Sequence, residues 1–430
     1  MIEHPPGPTP LQALAFVRNP LKFFARTAAE HGPISYFRVL GQRIYLIDDP
    51  ELIQEVLVAR QHEFHRDTGA TLLRELVGDG LLTRDEPAHK ERRRALQPAF
   101  HRAQVASYAG VMSAECARHI AAWRRGERLD MAVEMKRLTL SIVGASLFGT
   151  DFSASANSIA AVLNRVIASG RWIGPILPLV EPLLRARPEG RGIFFRSERR
   201  RLDRILQPVI ARRRAAQSTD ILSLLLDQLD DRAAANEIVT LVLAGHETTA
   251  TALTWAWHLI AAHPAVEQRL HNELHAVLGR RMPAFEDLPH LTYTAMVFNE
   301  AMRLYPPAPA FGRRPKHDID LLGYPIPAGS SIFLSPYVTH RNPLYWERPE
   351  SFDPSRWRDI QIPKFAYFPF GGGANMCIGD TFARMEGVLV LASVAQQWRL
   401  VPDDPSPLGF HLGVTLRPDR PLWMRPEPVA

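Results

Sequence analysis

The 430-residue sequence predicts a mainly α-helical protein with small β-sheets. Three observations carry this prediction. Apolar residues recur at helical spacing through most of residues 87–304. Short strand-like runs, punctuated by glycine and proline, fall before and after that core. No glycine fingerprint of a dinucleotide-binding unit and no flavin-binding module interrupts the pattern. With 46% hydrophobic residues the chain can bury a large core, of a size for one big domain or two moderate ones.

In chain order, Pro20 to Glu30 reads as a helix, and Ile34 to Leu40 with Arg43 to Asp48 as a strand pair around Gly41. Pro50 to Val58 reads as another helix. Residues 60–84, with Gly69, Gly78 and Gly80, read as a long irregular loop, and loops of that length in a compact domain are usually functional. Helical periodicity then covers Ser141 to Leu147, Asn157 to Ile167 and Phe195 to Arg214. It continues over Asn236 to Ala262, His263 to Leu278 and Tyr293 to Leu304, where Pro306-Pro307 stops it. Short strands are expected near Asp318 to Leu321 and Ser331 to Leu334. A last helix spans Ile378 to roughly Gln397, and Gly413 to Arg417 with Pro421 to Met424 suggests a terminal hairpin.

Composition excludes several classes. No run of about 18 apolar residues is present to span a membrane. The polar, proline-rich start lacks the order of a signal peptide. Two cysteines, Cys116 and Cys377, make no disulfide framework and suit a reducing cytoplasm; Cys116 lies in a helical pattern and reads as packing. The net charge is +6, with arginine clusters at 196–201 and 212–214. No nucleic-acid-binding motif accompanies them, and interleaved Leu and Ile make them a solvated helix face. A basic patch could also attract an acidic electron-transfer partner.

The most informative run is Phe370-Gly371-Gly372-Gly373-Ala374-Asn375-Met376-Cys377-Ile378-Gly379. A lone cysteine follows a glycine-rich loop and precedes a helix, whose positive end favours an ionised sulfur. The glycines let backbone approach a flat ligand. No Cys or His stands at zinc spacing, so one axial thiolate on an iron porphyrin fits better than a tetrahedral zinc. Alone, the pattern also fits a buried structural cysteine.

Upstream, Ala244-Gly245-His246-Glu247-Thr248-Thr249 interrupts a long apolar helix. Ala244 and Thr248 share a face, Gly245 removes a side chain where a ligand could press, and Thr248 can bond a carbonyl one turn back or donate to a ligand. Glu247 is costly in such a helix unless paired or used. Alone this fits a kinked core helix with one solvated acid. His246-Glu247 opens like a zinc-protease motif, but Ala250 replaces its second histidine. His271 and His275, four apart among polar neighbours, read as a solvated face.

These motifs resemble the cytochrome P450 family. Every fixed position of its haem-binding signature is met except one: Asn375 stands where Arg or His is usual. The resemblance implies a cytochrome P450 fold, one domain over 1–430 with a haem-thiolate loop at about 368–379 and no fused reductase. It implies haem b with Cys377 as axial ligand, contacted by Phe370, Gly371, Asn375 and Gly379. Thr248 would hydrogen-bond dioxygen and Glu247 would relay protons. Glu300, Arg303 and Arg356 resemble the family's Glu-x-x-Arg motif with its downstream arginine, a structural triad. His89, Arg93 and Arg313 match propionate-binding positions. Asn can donate a hydrogen bond but cannot form an ion pair, so Asn375 predicts looser haem retention and a shifted potential, partly offset by those three bases.

The implied reaction is insertion of one oxygen atom from O₂ into an apolar small molecule. Ferredoxin and ferredoxin reductase would serve as separate donors to a cytoplasmic monomer. The segment Cys377 to Ala383 looks most like members of terpenoid pathways; a fatty acid is the next choice. The pocket would draw on residues 60–84, the Phe152 to Val180 region, Leu243, Ala244, Ala308 to Phe311 and Val414. Two other classes stay open: a haem-thiolate isomerase or peroxide-driven enzyme, and a non-catalytic haem sensor.

Overall fold

The structure is a computed structural model that describes residues 4–149, 155–163, 165, 195–215 and 221–429. Several helices start at a side-chain cap. Helix α1 (Pro20–His31) begins at Asn19, whose side chain accepts the Lys22 N–H. Strands β1 (Ile34–Val39) and β2 (Gln42–Ile47) pair antiparallel around Leu40-Gly41, as expected. Helix α2 (Pro50–Gln54) is capped by Asp49 and continues as a π-helical stretch, Glu55–Ala59.

Residues 60–84 are not the irregular loop the glycines suggested. They hold a 3-10 turn (Gln61–Glu63), strand β3 (Phe64–Arg66) and helix α3 (Thr68–Val77), so that of the expected loop mainly 78–84 is irregular. Asp67 caps α3 by accepting the Ala70 N–H. Strand β3 exists because a partner about 250 residues away accepts it, and three residues carry no periodic signal of that.

Helices α4 (Ala88–Leu96), α5 (Arg102–Ile120) and α6 (Met131–Phe148) follow, with the two-residue strand β4 (Leu129–Asp130) before α6. The expected Ser141 to Leu147 helix is the end of α6. Residues 155–163 are helical. The remainder of the Asn157 to Ile167 helix, and most of the Phe152 to Val180 pocket segment, lie outside the described residues. Next come α7 (Arg196–Ala215), α8 (Ile221–Gln228), α9 (Asp231–Ala262), α10 (Pro264–Leu278) and α11 (Thr292–Leu304). Helix α12 (Asp380–Ala395) starts two residues later than expected, because Gly379 occupies its N-cap.

The strands of the second half are β5 (Phe311–Pro315), β6 (Ile319–Leu321), β7 (Tyr324–Ile326) and β8 (Ser331–Leu334). Beyond α12 lie β9 (Trp398–Pro402), β10 (Phe410–Leu412), β11 (Leu416–Pro418) and β12 (Trp423–Pro428). The main sheet runs β1-β2-β8-β5-β3, with β2–β8 its parallel pair. The expected terminal hairpin is replaced by two pairings. Strand β11 pairs with β10, and β12 leaves to join β4 and β9 in a separate sheet. Proximity in sequence suggested a hairpin; the inward face of Met424 and Leu129 selects the distant partner.

Helix α9 is the centre of the core. It is buried on nearly every side and packs against α6, α11 and α12. Trp255 stacks on Tyr305 at 3.8 Å and donates its indole N–H to the Leu416 carbonyl. That bond ties the helix to the β10–β11 hairpin. Among the described residues no helix is long and apolar enough to cross a membrane.

Candidate active site

The loop before α12 is shaped by its own backbone. The Gly371 N–H donates to the Phe368 carbonyl, and the Cys377 N–H to the Phe370 carbonyl, so the chain doubles back and presents Cys377 at its end. Gly373 has φ +67°, and a Cβ there would lie 1.8 Å from the Leu57 carbonyl oxygen. No other residue fits. Gln61 reaches across from the 3-10 turn and accepts the Ala374 N–H at 2.6 Å. Arg93 on α4 donates to the Met376 carbonyl at 2.6 Å, bracing the loop from the other side. Phe370 lies under the Arg384 guanidinium, 4.7 Å from the ring centroid.

Cys377 has accessible surface, yet protein atoms surround it, and burial pushes its thiol up to about 11. The expectation that the helix end would favour a free thiolate is therefore corrected. The Gly379 N–H and the cations Arg93 and Arg384 act in that direction, but desolvation outweighs them and Asp380 adds to it. Such a sulfur ionises when a metal takes its proton's place. Cys116 is buried, its thiol pushed up to about 12, in keeping with packing.

Within residues 234–257, helix α9 is open only around Ala244. Ala244 is exposed and Gly245 and Thr248 are partly so, while the residues around them are buried. The Thr248 hydroxyl donates to the Ala244 carbonyl at 2.6 Å. Gly245 serves a different purpose from the one expected. A Cβ there would meet Val143 Cγ2 at 2.8 Å, so the missing side chain lets α6 approach rather than a ligand. His246 is buried, its Nδ1 bonded to the Val242 carbonyl at 2.6 Å. Among the described residues no three or more His, Cys, Asp or Glu side chains gather as they would around a metal ion. His275 is exposed, whereas His271 is half-buried, its neutral form favoured by burial.

Glu247, next to Thr248, turns into the protein. Its Oε1 accepts the Arg417 Nε–H at 2.6 Å and the Thr415 hydroxyl at 2.9 Å, and Lys136 Nζ stands 3.4 Å from Oε2. Burial opposes its ionisation, but Lys136 and Arg417 outweigh that and hold the carboxyl below its ordinary range. These partners come from α6 and from the β10–β11 hairpin. The sequence carried no local signal of them.

Glu300, Arg303 and Arg356 meet as a closed cluster. Arg303 donates twice to Glu300, at 2.9 Å each, and Arg356 Nε donates to the same carboxylate at 2.9 Å. Trp357 Nε1 and the Asp353 N–H complete it at 2.8 and 3.1 Å. Arg303 spends its remaining donors on the carbonyls of His340, Pro349 and Ser351.

Basic groups converge on the other side of the loop. His89 is buried with Nδ1 at 3.0 Å from Glu86 Oε1. Arg313 follows Phe311, whose ring would lie 3.8 Å from a Cβ at Gly371. Asn375 Oδ1 accepts from Arg66 on β3 at 2.5 Å, a residue the sequence reading passed over inside its presumed loop. Of the pocket candidates, Ala308 and Phe311 keep partial exposure and Val414 is open at the β10–β11 turn. Leu243 is corrected: it packs in the core, on the closed side of α9. An accessible sulfur at one end and enclosed cations near the same loop fit a flat, dianionic metal cofactor.

The cytochrome P450 family model matches residues 4–423. Cyclooctatin synthase of Streptomyces melanosporofaciens is 38% identical, over 98% of this chain and 95% of its own length. Cyclooctat-9-en-7-ol 5-monooxygenase of the same organism is 34% identical, over 92% and 89%. Pentalenene oxygenase of Streptomyces avermitilis is 33% identical, over 92% and 90%. The chain therefore belongs to the cytochrome P450 family, whose cofactor is a haem with its iron held by a cysteine thiolate.

Proposed function

We propose that this chain is a monooxygenase that inserts one oxygen atom from O₂ into a terpenoid skeleton. The observation that carries it is the opening in the middle of α9, where Ala244 is exposed and Gly245 and Thr248 partly so while the rest of residues 234–257 is buried. Haem, when bound, supplies the dioxygen activation that no side chain can perform. Cys377 would be its protein ligand, and Arg93, His89 and Arg313 would orient it through its carboxylates.

The residues around the patch manage protons. The Thr248 hydroxyl holds one at the open face, where it can turn from the Ala244 carbonyl toward a ligand. Glu247 lies behind it, and its partners Lys136 and Arg417 are each 26% exposed, so the cluster links a buried carboxylate to solvent. A proton can pass from that cluster to Glu247 and on to the face of Thr248. The apolar side chains of Ala244, Ala308, Phe311 and Val414 would offer a hydrocarbon substrate contact area without hydrogen-bonding demands. The compounds in the relatives' names, cyclooctat-9-en-7-ol and pentalenene, support a terpenoid over a fatty acid. We further propose a cytoplasmic monomer of one domain, fed electrons by a ferredoxin and its reductase.

The test is an optical titration of the ferric holoprotein with pentalenene, with cyclooctat-9-en-7-ol and with palmitic acid. A saturable blue shift of the Soret band with either of the first two supports the terpenoid reading. A shift with palmitic acid alone overturns it. Thr248→Ala separates the monooxygenase from an isomerase or peroxide-driven enzyme: NADPH use should detach from product formation, and unchanged coupling would defeat the proton-handling role.

A further inference from the structure

Arg66 and Arg313 are direct partners across the antiparallel pair β3–β5. Like charges facing each other on adjacent strands weaken a sheet. Here both guanidiniums are also enclosed by protein, and burial pushes both below the ordinary arginine range, Arg66 to about 10. Both retain some accessible surface, as Cys377 does. An enclosed charge without a counter-charge is strongly destabilising.

Among the described residues no acidic side chain resolves this conflict for Arg66. Its guanidinium donates to three neutral oxygens: the Arg84 carbonyl at 2.8 Å, the Leu81 carbonyl at 3.4 Å and Asn375 Oδ1 at 2.5 Å. The acids within electrostatic reach are Asp67, Asp85 and Glu86, and each has another occupation. Asp67 caps α3, Asp85 accepts the Arg66 backbone N–H and faces the His65 ring, and Glu86 holds His89. Among the described residues none of them forms an ion pair with the Arg66 guanidinium.

Asn375 is the one position of the cysteine loop that departs from the family signature, where a base is usual. The structure places a base beside it from another element. We propose that Arg66 is the cation the loop lacks, binding a haem propionate together with Arg313, and that Asn375 is its positioning residue. The asparagine carbonyl oxygen orients the guanidinium, and an arginine at 375 would oppose it. The charge has moved from the loop to β3, so the looser haem retention expected from Asn375 alone does not follow. This inference rests on the haem reading of the chain.

The test is the rate at which haem leaves the ferric holoprotein for an excess of apomyoglobin, followed by absorbance. A charge-assisted hydrogen bond lost without replacement predicts Arg66→Gln releasing haem about tenfold faster or more. Asn375→Arg should also accelerate release, because two guanidiniums then compete for one space. The double variant Arg66→Gln/Asn375→Arg should return release toward wild type, since each change supplies what the other removes. The reduction potential should fall in Arg66→Gln and recover in the double variant, which a purely structural role would not produce. If Arg66→Gln does not fold, Arg66→Lys keeps the charge without the planar fork and should give a smaller acceleration. Wild-type release from Arg66→Gln, or slower release from Asn375→Arg alone, overturns the proposal while leaving the haem reading intact. A wild-type protein without a Soret band overturns both.

Discussion

Glu247 and Glu300 make an instructive pair. Both are 0% exposed, both sit on long core helices and both face arginine. Glu300 has five hydrogen-bond donors on its two oxygens, from Arg303, Arg356, Trp357 and the Asp353 backbone. Glu247 has two on Oε1, and its Oε2 has only Lys136 at 3.4 Å, too far to count as a full hydrogen bond. A buried carboxylate saturated with donors is locked in place. One with an oxygen left without a hydrogen-bond donor keeps a free acceptor and can turn toward another partner. The difference teaches which of two similar acids holds the fold and which is available for chemistry.

The comparison breaks first at Glu300. Glu300→Ala leaves Arg303 and Arg356 buried without a counter-charge, and should cost about 3–5 kcal/mol of stability in denaturant unfolding. A loss under 1 kcal/mol would show that the cluster is not saturated in solution. Glu247→Gln keeps the shape and should affect turnover more than folding. Product formation should fall about 100-fold, the low end for general acid–base work, with haem content unchanged. Unaltered turnover would place Glu247 with Glu300 as a structural acid.

Acid titration sharpens the same contrast. The folded Glu247 carboxyl lies below its ordinary range, so its contribution is present above that range and lost as pH falls through the depressed value. Wild type should therefore lose stability in acid more steeply than Glu247→Gln, read as melting temperature against pH.

A third buried acid gives the smallest effect and the opposite sign. Glu237 on α9 accepts the Leu81 N–H at 3.0 Å and faces Arg92 at 3.1 Å, yet burial raises it to about 7. Its contribution is present below the ordinary carboxylate value and lost as pH rises through about 7. Glu237→Gln should flatten that slope between about pH 5 and 8, and because Leu81 belongs to the 78–84 segment, the protection of its amide against hydrogen exchange, relative to the intrinsic rate at each pH, should lose its pH dependence.

The cysteine loop was legible because its requirements are local. Positive φ at Gly371 and Gly373, the turn back to Phe370 and the cap at Gly379 are all written in consecutive residues. The same holds for the 3.6-residue periodicity of α9 and the charges three apart at Glu300 and Arg303. Gly245 shows the limit of such reasoning. A missing side chain on a helix says that something approaches, and only the neighbouring helix shows that it is Val143.

The sequence by itself determined the class of fold, the family, the cysteine and the two helical motifs, since each depends on spacing along one element. Tertiary structure alone decided that β3 exists, that the last strands pair with distant partners and that Leu243 faces the core. It also decided that Lys136, Thr415 and Arg417 gather on Glu247 and that Arg66 stands behind Asn375. These are contacts between residues from about 110 to 310 positions apart. Long-range contacts are chosen by which surfaces can be buried together, and spacing within a segment carries no record of that choice.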